Sequence, residues 1–325
     1  SKWKAGDRLV LPDLARTLQR IADHGAEGFY RGETAERLAA EMQSGDGLIT
    51  VADLAHYQAK LRPAIHGTYR GYDVYGPSPP SSGGICLVEM LNVLGHFDLR
   101  QRDRYSAQNL HLIAETMKRV YCDRARFLGD QDFVQIPKRL TDKSYARKLA
   151  EQIDERAATP SETLAPEIDV KDESPSTTHF SVIDKDGLAV SNTTTLHYSW
   201  GSRIVVKDAG FLLNNIMNDF NWFPGHTDRS GNIGTTPNQI APGKRMLSSQ
   251  TPTIVAYKGR PVLITGSPGG RTIINTSLQM VLNVIEFEMD LPDAMRAARI
   301  HHQWLPDRIV YETYGGQITD DTAAE

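Results

Sequence analysis

The chain has 325 residues, 40% hydrophobic and 23% charged, with a formal net charge of −4. These are ordinary values for a globular protein with enough chain for a substantial core, and they exclude the basic footprint of a nucleic-acid binder. No apolar run approaches the roughly 20 residues of a membrane-spanning helix, and Ser1-Lys2-Trp3-Lys4 does not resemble a signal peptide.

In chain order, Pro12, Leu14, Leu18, Ile21 and Ala22 have helical spacing from 12 to 24, with proline in the first turn and Gly25 as a stop. A second helix is predicted from Glu33 to Met42. Thr50-Val51-Ala52-Asp53 has the form of a capping arrangement and opens a short helix to about Lys60. A hairpin follows, Ala64–Tyr69 and Tyr72–Tyr75 around Arg70-Gly71. Further helices are predicted over 85–94, 106–127 and 144–153. Residues 154–176 are polar and proline-bearing with little periodicity, and read as a mobile connector. After it the chain turns strand-rich, at 177–184, 188–197, 203–206, 210–213, 252–257 and 261–266. Helices over 272–287 and 292–299 close the pattern. Helices, connector, strands and helices again predict sheets held between helical layers. Cys86 and Cys122 lack CxxC spacing and read as two buried or idle thiols.

The stretch from Thr177 to His197 carries the densest chemistry. Alternation on both sides of Asp184-Lys185-Asp186-Gly187 predicts a hairpin in which Ile183 faces Ala189. One face then holds Thr177, His179 and Ser181 opposite Thr195, Thr193 and Ser191, an unusual concentration of hydroxyls. A threonine at a strand head after a loose connector suits a self-processing nucleophile, because cleavage would give it an α-amine to act as its own base. An ordinary strand-edge hydroxyl is the simpler reading on composition alone. The loop Gly266-Ser267-Pro268-Gly269-Gly270 enters a helix and suits an oxyanion hole, but lacks the GK[ST] of a P-loop. Ser248-Ser249 and Asp219 each read alone as turn residues. Asp184 and Asp186 lack the downstream ligands of a calcium loop, and the adjacent His301-His302 do not share a helix face for zinc. Neither a metal nor a cofactor is expected.

Taken together, these pieces resemble the γ-glutamyltranspeptidase family of N-terminal-nucleophile hydrolases. The resemblance runs through Asp46-Gly47-Leu48-Ile49-Thr50, Tyr69-Arg70-Gly71-Tyr72 and Pro79-Pro80-Ser81-Ser82-Gly83-Gly84. It continues through Thr177-Thr178-His179-Phe180-Ser181, Leu213-Asn214-Asn215, Asp219-Phe220, Leu247-Ser248-Ser249, Gly266–Gly270 and His301-His302-Gln303-Trp304-Leu305-Pro306. It implies an α+β fold, the four-layer αββα sandwich. Residues 1–176, with the connector at about 154–176, would belong to a large subunit and 177–325 to a small one, both in one sandwich domain. By this resemblance Thr177 attacks the Ser176 carbonyl to cleave the precursor, then a γ-glutamyl carbonyl of a glutathione-like amide. Water, an amino acid or a peptide is the acceptor.

Further roles follow from the same resemblance. Thr195 would hydrogen-bond to the nucleophile, Gly269 and Gly270 would offer oxyanion amides, Asp219 would bind the α-amine, and Ser248 and Ser249 the α-carboxylate. A periplasmic or extracellular location is implied. Two departures stand out. His197 occupies a position where the family has an asparagine, and Ile216 one where it has Gln or Glu, a loss of about 1–3 kcal/mol beside a desolvated ammonium. The family's carboxylate-clamping arginine has no counterpart in this chain. An acylase-like relative cutting another acyl amide, and a non-catalytic homologue with a degraded pocket, are the alternatives.

Overall fold

The computed structural model describes residues 4–165, 171–172, 177–313, 317–319 and 322. They group into two units, Ser1–Leu61 with Tyr198–Asn215, and Arg62–His197 with Ile216–Glu325.

The smaller unit contains α1 (Pro12–His24), α2 (Glu27–Tyr30), α3 (Gly32–Ser44) and α4 (Val51–His56). Pro12 costs α1 no hydrogen bond, because a first-turn N–H has no intrahelical acceptor. At α4 the capping box forms: Thr50 Oγ1 accepts from the Asp53 N–H at 3.2 Å, and the Thr50 N–H donates to Asp53 Oδ2 at 2.8 Å. That helix stops at His56, short of the predicted Lys60, because Tyr57 turns extended and stacks on Tyr30 with ring centroids 5.1 Å apart. The strands predicted at 203–206 and 210–213 reduce to one antiparallel bridge, Val205 to Leu212, with Arg203 and Asp208 at positive φ. Their apolar residues serve helix packing instead. Val206 and Ala209 are buried with Ala35, Leu38 and Leu54.

The larger unit runs β1 (Ile65–Tyr69), β2 (Tyr72–Gly76), α5 (Gly83–Leu94), α6 (Ala107–Phe127), α7 (Lys143–Glu151), α8 (Ser161–Leu164), β3 (Lys171–Asp172), β4 (Thr178–Ile183) and β5 (Ala189–Thr194). It continues with β6 (Gly231–Asn232), β7 (Thr253–Tyr257), β8 (Arg260–Thr265), α9 (Thr272–Val281), α10 (Leu291–Arg296), β9 (Ile300–His301) and β10 (Val310–Tyr311). Strands β1, β2, β7 and β8 form an antiparallel sheet in that order. Helix α5 is buried along its whole length, as expected of a helix apolar nearly all round, and packs on β1 and β2 and against α6, α7 and α9.

The β4–β5 hairpin packs against β7 and β8 and has the predicted register, Thr178 opposite Thr194 through Ile183 opposite Ala189. Its faces are inverted relative to simple hydrophobic burial. His179, Ser191 and Thr193 are part-buried, while Phe180, Val182 and Val190 on the other face are about half exposed. The fold is α+β. Cys86 and Cys122 are both buried free thiols.

The expected mobile connector is anchored in its first part. Thr159 N–H donates to Glu115 Oε1 at 3.1 Å, Ser161 N–H to Asp307 Oδ2 at 2.8 Å, and Trp304 Nε1–H to the Ser161 carbonyl at 2.8 Å. The physical reason is a buried charge network from α6, whose members recruit this backbone as partners. Residues 166–170 and 173–176 lie outside the described residues, so Ser176 and the expected Ser176–Thr177 cleavage bond do too. The helix predicted to Phe287 is α-helical only to Val281. It continues as a π-helical turn, Leu282–Glu286, and Glu286 accepts from Tyr69 Oη at 2.7 Å and Arg70 Nε at 2.9 Å.

Glu115 is the centre of that α6 network, 2.8 Å from Lys118 and 2.5 Å from Arg119. Burial alone would raise its pKa, but hydrogen bonds from Lys118, Thr159 and Arg119 outweigh it and pull the carboxyl down to about 2. A depressed carboxylate stabilises the fold fully above its unfolded value near 4.5 and loses that contribution as pH falls toward about 2. Glu115→Gln, which takes the carboxylate from buried Arg119 and leaves Lys118 the more distant carboxylate of Asp307 at 3.4 Å, should cost about 3–5 kcal/mol near neutrality. Denaturant midpoints for the two proteins should therefore differ strongly at neutral pH and converge in acid.

Candidate active site

A cavity of ≈ 330 Å³ in the larger unit collects residues from widely separated stretches: Thr177, Thr195, His197, Asp219, Ser248, Ser249 and Gly270 all line it. Thr177 directly precedes β4 and Thr195 directly follows β5, so the hairpin register brings both to one end of the ladder.

Polar contacts to the sheet seat this hairpin. Ser191 Oγ donates to the Thr265 carbonyl at 2.8 Å and accepts from the Thr253 N–H at 3.1 Å. His179 bridges Thr193 and Ser181, with Nδ1 to Thr193 Oγ1 at 2.8 Å and Nε2 to Ser181 Oγ at 3.1 Å. Its ring lies so close to Gly266 that a Cβ there would sit 2.3 Å from Cε1. Gly266 therefore serves close approach of hairpin and sheet.

The Ser248-Ser249 segment is held by the loop before α5. Ser248 N–H donates to the Pro80 carbonyl at 2.8 Å, and the Ser248 carbonyl accepts from the Ser82 N–H at 2.8 Å and from Ser82 Oγ at 2.7 Å. Gly83 completes this seam, since a Cβ there would meet the Gln250 carbonyl oxygen at 2.3 Å. The motif Pro79–Gly84 is thus a backbone clamp on the serine pair.

Asp219 ends a 3-10 turn, Ile216–Asp219. Its carboxylate Oδ1 lies 3.3 Å from His197 Nε2, and the imidazole is buried. His197 has φ 78, a region costly for a residue with a Cβ, and its N–H donates to Thr195 Oγ1 at 2.9 Å. Ile216 is absent from the cavity lining, so the apolar replacement faces the site less directly than its sequence position suggests. Gly270 (φ 57) lines the cavity and Gly269 (φ 130) does not, although both shape the turn into α9, where Thr272 N–H bonds the Gly269 carbonyl at 3.1 Å.

Three further residues line or support the cavity; Arg124 and Asn238 carry no signal in the sequence, and His301 stands there only as a rejected zinc ligand and as part of a motif. Arg124, in α6, is buried, lines the cavity, and donates through Nε to Ser82 Oγ and through an Nη to Ser249 Oγ, each at 2.9 Å. Burial, and then the neighbouring Arg271, lower its pKa below the ordinary arginine value. His301 also lines the cavity, and burial pushes its imidazole down to about 4 despite a hydrogen bond with Gln303. Asn275 Nδ2 donates to His301 Nδ1 at 2.8 Å, which places the ring proton on Nε2, facing Gln303 Oε1 at 2.9 Å. Asn238 joins the Asp219 turn to the serine segment. Its Nδ2 donates to the Asp219 carbonyl at 2.6 Å and its Oδ1 accepts from the Leu247 N–H at 2.8 Å. Removing this amide in Asn238→Ala leaves the buried Leu247 N–H without its acceptor, a cost of about 1–3 kcal/mol, and takes a donor from the part-buried Asp219 carbonyl. A lowered denaturation midpoint, together with weaker substrate binding, is the expected outcome.

A family profile described as Gamma-glutamyltranspeptidase matches residues 1–325. The chain is 48% identical over 310 residues to the glutathione hydrolase proenzyme of Escherichia coli (strain K12), covering 95% of this chain and 53% of that protein. To the Pseudomonas aeruginosa glutathione hydrolase proenzyme it is 44% identical over 328 residues, covering 99% and 58%. The Acylase ACY 1 proenzyme of Pseudomonas sp. (strain SE83) is 36% identical, over 91% of this chain and 50% of that protein. Among solved structures, the cephalosporin acylase from Bacillus halodurans shares the fold with a TM-score of 0.83 at 24% identity, over 99% of this chain and 56% of that one. The chain spans about half the length of the curated relatives it matches.

Proposed function

Because the chain belongs to the gamma-glutamyltranspeptidase family, we propose that it carries the acyl-transfer site of a γ-glutamyl amide hydrolase and transferase, with Thr177 as nucleophile. The observation that carries this reading is the convergence of Thr177, Thr195, Asp219, Ser248, Ser249 and Gly270 on one cavity. Hydroxyl, carboxylate and helix-entry glycine are the groups an amide-cleaving site for a zwitterionic acyl donor requires.

In the first step Thr177 Oγ attacks the Ser176 carbonyl. The peptide nitrogen leaves as the Thr177 α-amine and Ser176 is held as an ester. Water hydrolyses that ester, freeing Ser176 as a carboxylate and Thr177 as an N-terminus. Residues 1–176 and 177–325 then remain together as large- and small-subunit regions of one sandwich. With a pKa of about 7.7–8.0, the new amine is unprotonated in roughly a tenth to a sixth of molecules at pH 7, and that fraction, which grows with pH, can take the hydroxyl proton.

In turnover Thr177 Oγ adds to the γ-glutamyl carbonyl of a glutathione-like amide, and the oxyanion is met by amides at Gly270 and Gly269. Thr195 orients the nucleophile. Asp219 holds the donor's α-ammonium, and Ser248 and Ser249 its α-carboxylate. The buried Arg124 supplies positive potential to that carboxylate through Ser249, a charge-assisted arrangement. The leaving amine takes the proton, and water, an amino acid or a peptide resolves the acyl ester. We place the protein in the periplasm or outside the cell on family resemblance. A second reading, hydrolysis of another acyl amide, is favoured by the contact of His197 with Asp219, which changes the environment of the carboxylate assigned to the ammonium.

Intact mass of the whole protein tests the nucleophile. The wild-type chain should appear as two fragments split before Thr177, and Thr177→Ala should stay as one chain with no turnover. Persistent splitting of the variant at that bond would reject the mechanism. Parallel assays on glutathione and on a non-glutamyl acyl amide separate the two substrate readings.

A further inference from the structure

His197 stands between the two halves of this site, touching a group that belongs to each. Its backbone N–H donates to Thr195 Oγ1 at 2.9 Å, and its ring Nε2 lies 3.3 Å from Asp219 Oδ1. The imidazole is buried, and the residue holds φ 78, a conformation of the kind that persists only where the surroundings enforce it. A neutral imidazole can accept at Nε2 from a nearby ammonium, whereas an imidazolium can only donate to the carboxylate.

We propose that His197 is a specificity-determining residue that makes recognition of the donor's α-ammonium at Asp219 depend on pH. This rests on the assignment of Asp219 to that ammonium under the proposed function. With His197 neutral, Asp219 presents a full negative charge and the ring adds an acceptor, so donors bearing an α-amine are preferred. With His197 protonated, the pair is internally neutralised and two cations would have to share one carboxylate, so that preference is lost. Acyl amides without an α-amine, such as glutaryl amides, lose nothing at Asp219 from this protonation.

The other charged and titratable groups around the cavity are Arg124 from α6, Arg271 at the entry to α9, His226, His301 and Arg308. Three are permanent cations. His301 is held neutral across the relevant range, with its ring proton directed to Gln303. His226 lines the same cavity, stands edge-on to Phe223, and is the control position. The Thr177 amine titrates nearby, but it serves both donor types equally and cancels in a ratio of rates.

The test is the ratio of kcat/KM for γ-glutamyl-p-nitroanilide over glutaryl-p-nitroanilide, measured with the self-processed enzyme from about pH 5 to 7.5, a window that brackets an ordinary histidine. The wild-type ratio should fall by about tenfold or more toward the acid end. His197→Asn, which cannot titrate, should make the ratio flat, and His226→Asn should leave the wild-type slope. A flat wild-type ratio overturns the proposal without any variant, and so does an unchanged slope in His197→Asn. If neither donor is turned over and Thr177→Ala behaves as wild type, the acyl-transfer reading itself has failed, a result distinguishable from parallel profiles on two good substrates.

Discussion

The hydroxyl of Ser191 fixes the geometry on which the site depends. It satisfies the Thr253 N–H and the Thr265 carbonyl together, tying the β4–β5 hairpin to the ends of two strands of the main sheet. Apolar contacts alone would let the hairpin slide, because the hydrophobic effect has no direction. Directional hydrogen bonds fix its position along the strands, and the close fit of His179 over Gly266 fixes its depth. The placement of Thr177 and Thr195 follows from that docking. Hydroxyls thus face inward here while Phe180, Val182 and Val190 face outward.

Electrostatically, the cavity is built on buried positive charge. Arg124 spends its donors on Ser82 and Ser249, which offsets part of its desolvation, and Arg271 lies near enough to disfavour its charge further. Such an arrangement is costly for an empty pocket and favourable for one that receives a carboxylate. Asp219, in the same lining, has the opposite sign. Under the proposed function, a donor carrying both an ammonium and a carboxylate would meet groups of both signs, and its orientation would be set before the acyl carbon reaches Thr177.

Much of this was legible in the sequence, for identifiable reasons. The hairpin register could be read because strand alternation has period two and Asp184–Gly187 has turn chemistry, so only one pairing keeps the hydroxyls together. The capping box at Thr50 and the bounds of α1, α5 and α6 follow from local rules of the same kind. Residues 203–213 misled because Val205, Val206, Phe211 and Leu213 look like strand residues, yet several of them bury against helices. The π-helical turn at Leu282 was invisible, since its apolar spacing continues that of α9. Arg124 sits in a helix among other charges, and nothing in its neighbourhood tells a buried guanidinium from a solvated one. Asn238 lies in a polar loop without periodicity, and its role exists only through two partners that are distant in sequence.

That asparagine has an evolutionary consequence. By holding the carbonyl of Asp219 and the N–H of Leu247 on one amide, it makes the Asp219 turn and the serine segment a single mechanical body. Insertions or deletions in either loop would disturb both at once and displace groups whose positions matter to fractions of an ångström. Change on this scaffold is therefore expected in side chains at fixed backbone positions rather than in the loops themselves.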